Sequence, residues 1–206
     1  MTNHPRSLLA AASLLLACAA PAHAGLAVNT GEPNGSAVGA FAFDSNDSYA
    51  AQVSFGETTN IRSISTHVIG TTAAETFTVL LYADSTDHLP GDTLFRSTAT
   101  VVADGWNGVS NLVGWTVAAG NYWLAFEIGS ADTLGSGSTT GALLDRGAPM
   151  PLARTAFNAG GNYRLSASPL DFGLQVETVL AVPEPAGFVL MLAGLAGVRL
   201  VAQRRR

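Results

Sequence analysis

From Gly25 to Val182 the chain has no long run of apolar residues at helical spacing; apolar and polar residues alternate instead. A side-chain period of two belongs to a strand with one buried and one wet face. The clearest case is Leu170-Asp-Phe-Gly-Leu-Gln-Val-Glu-Thr178. Leu170, Phe172, Leu174 and Val176 share one face, and Asp171, Gly173, Gln175 and Glu177 share the other. Asn121–Ile128 repeats the pattern with Tyr122, Leu124, Phe126 and Ile128 on one face, so only one of Tyr122 and Trp123 can look into the core. Thr76–Ala83 is β-branched and aromatic, as strands prefer. Weaker strand candidates are Ala51–Phe55, Ile61–Ile69, Leu94–Val102, Leu112–Val117, Ala142–Leu144 and Tyr163–Ala167. Turn signals stand between them at Leu89–Asp92, Asp104–Gly108, Ala119–Asn121 and Ala159–Asn162. About eight or nine short strands at this spacing predict an all-β domain, a two-sheet antiparallel β-sandwich of jelly-roll type. Gly129–Pro151 is rich in Gly, Ser and Thr and reads as a long loop carrying one short strand, the kind of segment on which binding sites sit.

The charge distribution narrows the partners. There is no lysine, and residues 25–182 hold 14 acids against 5 arginines, a net charge of about −9 with His neutral. An acidic body of this kind lacks the basic face that phosphate backbones need, which excludes nucleic acid as a partner.

Catalytic constellations are missing from the sequence. The body has two histidines, His67 in a candidate strand and His88 in a candidate loop, 21 residues apart and without metal-ligand spacing. There is no Gly-x-Ser-x-Gly elbow and no Walker pattern, and Gly135–Gly141 misses the dinucleotide fingerprint by one residue. No enzyme is expected. Asp44-Ser-Asn-Asp47 and Asp84-Ser-Thr-Asp87 offer Asp44, Asp47, Asp84 and Asp87 as oxygen ligands for calcium; the same residues also make ordinary turns. Trp106, in Asp-Gly-Trp-Asn-Gly, is the candidate glycan contact, since a turn there exposes a flat apolar face suited to a sugar ring; the same ring also suits packing into the core or over its edge.

Both ends carry targeting features. Residues 1–24 read as a secretion signal: Arg6, an apolar stretch from Leu8 to Ala20, and the small-x-small site Ala22-His23-Ala24, which predicts cleavage between Ala24 and Gly25. Leu15-Leu16-Ala17-Cys18 loosely resembles a lipoprotein box, although Ala-His-Ala is the better site. Loss of Cys18, the sole cysteine, leaves a mature body without disulfides. Residues 182–206 hold Pro183, Glu184 and Pro185, an uncharged and mostly apolar stretch from Ala186 to Val198, and Arg204, Arg205 and Arg206 at the end. With Arg199 tolerated the stretch reaches Ala202, 17 residues. As a helix, 17 residues span about 26 Å, just short of a bilayer core of about 30 Å. The prolines make 182–185 an extended spacer, the stretch reads as a single transmembrane helix, and the terminal arginines hold its end in the cytoplasm. Residues 25–181 are then the extracellular domain.

The order Pro183-Glu184-Pro185, apolar span, Arg204–Arg206 resembles the PEP-CTERM sorting signal of Gram-negative bacteria. The resemblance covers about 25 residues, and Arg199 departs from it by shortening the clean span. It implies recognition and cutting near Pro183–Pro185 by an exosortase, a membrane cysteine protease-transpeptidase, after signal peptidase has acted. It also implies an exopolysaccharide or biofilm setting, with passage through the inner membrane to the cell surface or matrix. Val79–Asp84, Pro90–Leu94 and Ala119–Leu124 resemble segments of the choice-of-anchor extracellular domains of the R type, which bring no assigned activity. The expectation is a non-enzymatic exported surface or matrix protein. The alternative is a carbohydrate-binding module for the cell's own polysaccharide, assisted by calcium.

Overall fold

The computed structural model describes residues 24–34, 39–136, 141–150 and 152–180. Thirteen strands make up this part: β1 Ala24–Asn29, β2 Phe41–Phe43, β3 Asp47–Phe55, β4 Thr59–Ile69, β5 Thr76–Asp84, β6 Pro90–Thr100, β7 Gly105–Val109, β8 Thr116–Val117, β9 Gly120–Glu127, β10 Ala142–Leu144, β11 Thr155–Ala159, β12 Arg164–Leu165 and β13 Leu174–Leu180. There is no helix among the described residues. The strands form two antiparallel sheets within a unit spanning Ala24–Val179. One sheet has the order β1-β13-β4-β10-β2, with β7 and β8 also paired to β4; the other has the order β12-β11-β3-β9-β5-β6. The fold is all-β and sandwich-like.

The alternation read from the sequence is what builds the interior. Phe172, Leu174 and Val176 are fully buried on one side of the last segment, while Glu177 on the other side accepts from the Ser63 hydroxyl at 2.8 Å. Leu124 and Phe126 of β9 meet Tyr49, Ala51 and Val53 of β3 and Val79 and Leu81 of β5 in the same core. Phe43, Tyr49, Phe77, Phe126 and Phe172 form a chain of tilted and edge-to-face rings with centroids 5.8–6.5 Å apart. Each such pair adds about 0.5–1.5 kcal/mol beyond area burial.

Three expected turns are mostly strand instead, and at Ala119–Asn121 the last two residues already belong to β9. Asp104–Gly108 runs mostly within β7, because Asn107 supplies the reversal ahead of it. The Asn107 side chain accepts from Val102 N at 2.9 Å and donates to Ala103 O at 2.7 Å and Gly105 O at 3.0 Å. Gly108 is there for closeness rather than for bending: a Cβ at this position would collide with the Ile64 carbonyl of β4. Pro90–Asp92 likewise belongs to β6, with Pro90 at the first residue of a strand, where its missing N–H is tolerated. The reversal occurs earlier, at Ser85–Leu89, with Ser85 N donating to Leu89 O at 3.0 Å and His88 in the left-handed region at φ 55°. The strands β1, β2, β7 and β11 were not anticipated; most are short, and the alternation is too brief to register.

β1 sits at the edge of the seven-stranded sheet, and Ala24 lies opposite Val179 of β13. The two ends of the domain therefore leave side by side.

Candidate functional site

Two histidine–aspartate pairs and one tyrosine–carboxylate cluster stand out among the domain's polar contacts. The first pair is buried. His67 lies on β4 between the core residues Ile64 and Val68 and faces away from them, across β4 from Trp106 of β7. Its ring meets Trp106 edge-on, with centroids 5.4 Å apart and planes at 90°. β10 brings Asp145 to it: Leu144 pairs with Val68, and Asp145 N donates to His67 O at 2.9 Å. Asp145 Oδ2 stands 3.0 Å from His67 Nδ1, with side-chain exposures of 0 % and 9 %. The two atoms face each other out of hydrogen-bond alignment, and among the described residues neither has a hydrogen-bond partner. Asp145 Oδ1 accepts from Arg146 N at 2.8 Å. Gly173 allows the packing above: a side chain there would strike His67, Pro33 and Trp106.

Beyond the ring, Asp104 accepts from Thr71 N at 2.9 Å and from the Thr71 hydroxyl at 2.7 Å. Desolvation pushes the Asp104 carboxyl up; the Thr71 bonds, the Gly70 amide and the nearby His67 outweigh it, and the net shift is downward.

The second pair lies on the other sheet. The six-stranded sheet has a second apolar layer on its outer face, made of Ala50, Leu80, Trp123, Ala125 and Ala156, with Tyr82, Leu89 and Tyr163 packed against it. Trp123 is therefore the outward member of the Tyr122–Trp123 pair and is still fully buried. Its indole N–H donates to Asp84 Oδ1 at 2.7 Å, and Gln52 Nε2 donates to the same oxygen at 3.0 Å. Asp84 Oδ2 meets His88 Nδ1 at 3.0 Å, with side-chain exposures of 12 % for Asp84 and 59 % for His88. Desolvation raises the Asp84 carboxyl, the bonds from His88, Trp123 and Gln52 lower it, and the lowering prevails. At the other end of this layer Tyr82 and Tyr163 both donate to Glu127 Oε1, at 2.7 and 2.8 Å. Burial first, and the Glu127 carboxylate beside them, push both phenols well above their ordinary range.

The residues singled out from the sequence do not converge. Asp44 Oδ1 accepts from Asn46 N at 2.7 Å and Asp47 N at 3.2 Å, the hydrogen bonding of an Asx turn. Burial and the neighbouring Asp44 raise the Asp47 carboxyl. Asp44 and Asp47 lie at the start of β3, whereas Asp84 lies at the end of β5, beside the last residues of β3. Asp87 is exposed in the reversal after β5. Among the described residues no three His, Cys, Asp or Glu side chains are grouped to hold a metal ion. Trp106 is half-buried, and its ring leans on His67 rather than standing out from a turn. Asp104, Asp145, Gln52 and Glu127 carried no local signal, because each gains its role only through strand pairing.

Ala24 and Gly25 open β1, while Ala22, Cys18, Pro183, Glu184, Pro185, Arg204, Arg205 and Arg206 lie outside the described residues. Among the described residues no helix is long and apolar enough to cross a membrane.

No known family's sequence profile matches the chain, and no curated protein matches it.

Proposed function

We propose that the chain is a non-enzymatic exported surface or extracellular-matrix protein of a Gram-negative bacterium, sorted through its C-terminal signal by an exosortase after signal peptidase has removed residues 1–24. The observation that carries this reading is the position of the domain's ends. β1 starts at Ala24 beside the proposed cleavage point, and β13 ends at Leu180, two residues before the Val182–Pro185 spacer. Both end segments can then be cut away without removing a core residue. Residues 182–206 hold the chain transiently in the inner membrane, and processing near Pro183–Pro185 sends the body to the surface or matrix. The finer fold reading, a jelly-roll sandwich, belongs to this proposal. Deletion of residues 183–206, or Glu184→Ala, changes the final size and location of the protein; unchanged size and location reject the sorting reading.

A second reading rests on the outer face of the six-stranded sheet, where Tyr82, Tyr163 and His88 surround a buried tryptophan and three carbonyl or carboxylate side chains, Gln52, Asp84 and Glu127. Aromatic rings beside hydrogen-bonding carboxylates suit a polysaccharide, with Asp84 the calcium candidate on this face; Trp106 belongs to the other sheet. Purified residues 25–182 retained on a matrix polysaccharide, with or without calcium, support it. Absence of retention on every polysaccharide in the host's matrix removes it.

A further inference from the structure

Asn46-Asp47-Ser48 has the Asn-x-Ser spacing of an N-glycosylation acceptor, with a residue other than proline between. The spacing alone is common; at this one the folded domain also leaves room for an attached glycan. Asn46 is exposed, in the bend between β2 and β3. Its backbone is held on both sides: the amide donates to Asp44 Oδ1 at 2.7 Å, and the carbonyl accepts from Gly160 N at 2.6 Å. Its carboxamide makes no hydrogen bond within the described structure, so the fold fixes the bend and leaves the side-chain nitrogen to solvent. The other Asn-x-Ser, beginning at Asn34, differs: the Asn34 side chain lies against Gly147, and the residue already has a partner within the fold. The bend also lies far from where the described domain begins and ends. Asn60 and Val179 line one groove, which puts the exit near the Phe55 end of β3. Asp47 is at the opposite end of that nine-residue strand, about 26 Å away.

We propose that Asn46 is an N-glycosylation site, a reading that rests on export of the chain. Asn46 Nδ2 forms a bond to C1 of the first sugar of a polyprenyl-diphosphate-linked oligosaccharide. The bond from C1 to the diphosphate oxygen breaks, polyprenyl diphosphate leaves with the electron pair, and Nδ2 gives up one proton. No oxidant or reductant is needed. The enzyme is an oligosaccharyltransferase that accepts carboxylates on both sides of the acceptor, since Asp44 and Asp47 flank it. Ser48 is only 8 % exposed and pairs with Asn158 of β11, so transfer precedes the pairing of β3 with β11. Once the domain has folded, the glycan projects from an exposed bend that no core residue occupies.

The test produces the full chain in a Gram-negative host that carries an oligosaccharyltransferase and its polyprenyl-diphosphate-linked oligosaccharide. The peptide containing Asn46 is weighed after digestion. The expected result is a glycan mass on that peptide, lost in Asn46→Gln and in Ser48→Ala, kept in Ser48→Thr and in Asn34→Gln. A bare Asn46 on a chain that begins at Gly25, in a host that fully modifies a control acceptor, overturns the proposal alone. A glycan that survives Ser48→Ala overturns it as well. A chain that still carries residues 1–24 overturns the export reading and this proposal together.

Discussion

The two histidine–aspartate pairs have the same 3.0 Å separation and opposite surroundings. His67 and Asp145 are both closed off from water, with Nδ1 and Oδ2 facing each other out of hydrogen-bond alignment. His88 is mostly in solvent, and Asp84 has two further donors, the Trp123 indole and the Gln52 amide. Distance alone does not set the worth of a charged contact; desolvation and alternative partners do. In the buried pair both members matter to folding. In the exposed one only the aspartate does, because its work is to satisfy a buried indole N–H.

The comparison breaks most visibly at the apolar layer beneath the exposed pair. Trp123→Ala removes its largest fully buried side chain and is expected to cost about 3–5 kcal/mol in urea unfolding. If the outer layer were mere surface decoration, the loss would stay under about 1 kcal/mol. Asp145→Ala removes the carboxylate that stands 3.0 Å from the buried His67 Nδ1, and an expected loss of about 2–4 kcal/mol is read from the same experiment. Asp84→Ala orphans the indole N–H, with an expected cost of about 1–3 kcal/mol. His88→Ala is expected to cost no more than about 0.5 kcal/mol, since an exposed ion pair is screened by water. A loss from His88→Ala equal to that from Asp84→Ala contradicts the contrast drawn between the pairs.

Acid sharpens the same contrast at the smallest scale. The Asp84 carboxyl is lowered in the folded domain, so its contribution is present above the unfolded value of about 3.9 and is lost as pH falls through the lower folded value. Stability of the wild-type chain should therefore decline below about pH 4, and that share of the decline should vanish in Asp84→Asn. An identical acid profile in the variant assigns the decline to other carboxylates.

Much of the scaffold was legible in the residues, and little of the polar chemistry was. Alternation identified β9 and the last segment because a half-buried strand writes its two faces directly into the sequence. It failed at Asp104–Gly108, where two glycines and an asparagine read as a turn. There one glycine is needed for approach to Ile64, and the asparagine bonds back to the preceding loop. Trp123 stands on the outward face of its strand and is buried there all the same, since that face of the sheet has an apolar layer of its own. Asp145 and His67 are 78 positions apart and meet only because β10 pairs with β4. No spacing rule reaches that far. The Asp44 spacing suits both a calcium ligand and a turn residue, and its hydrogen bonds are those of the turn.

The account's central claim concerns the ends: an all-β body bounded by two removable segments. The most direct measurement is the intact mass of the mature protein, recovered from the surface or medium of a host that has an exosortase, for the wild type and for Glu184→Ala. The account predicts a wild-type chain that starts at Gly25 and ends near Pro183–Pro185, and a variant that keeps Arg204–Arg206 and stays with the membrane. A wild-type chain that still ends at Arg206, in the same place and at the same size as the variant, contradicts it.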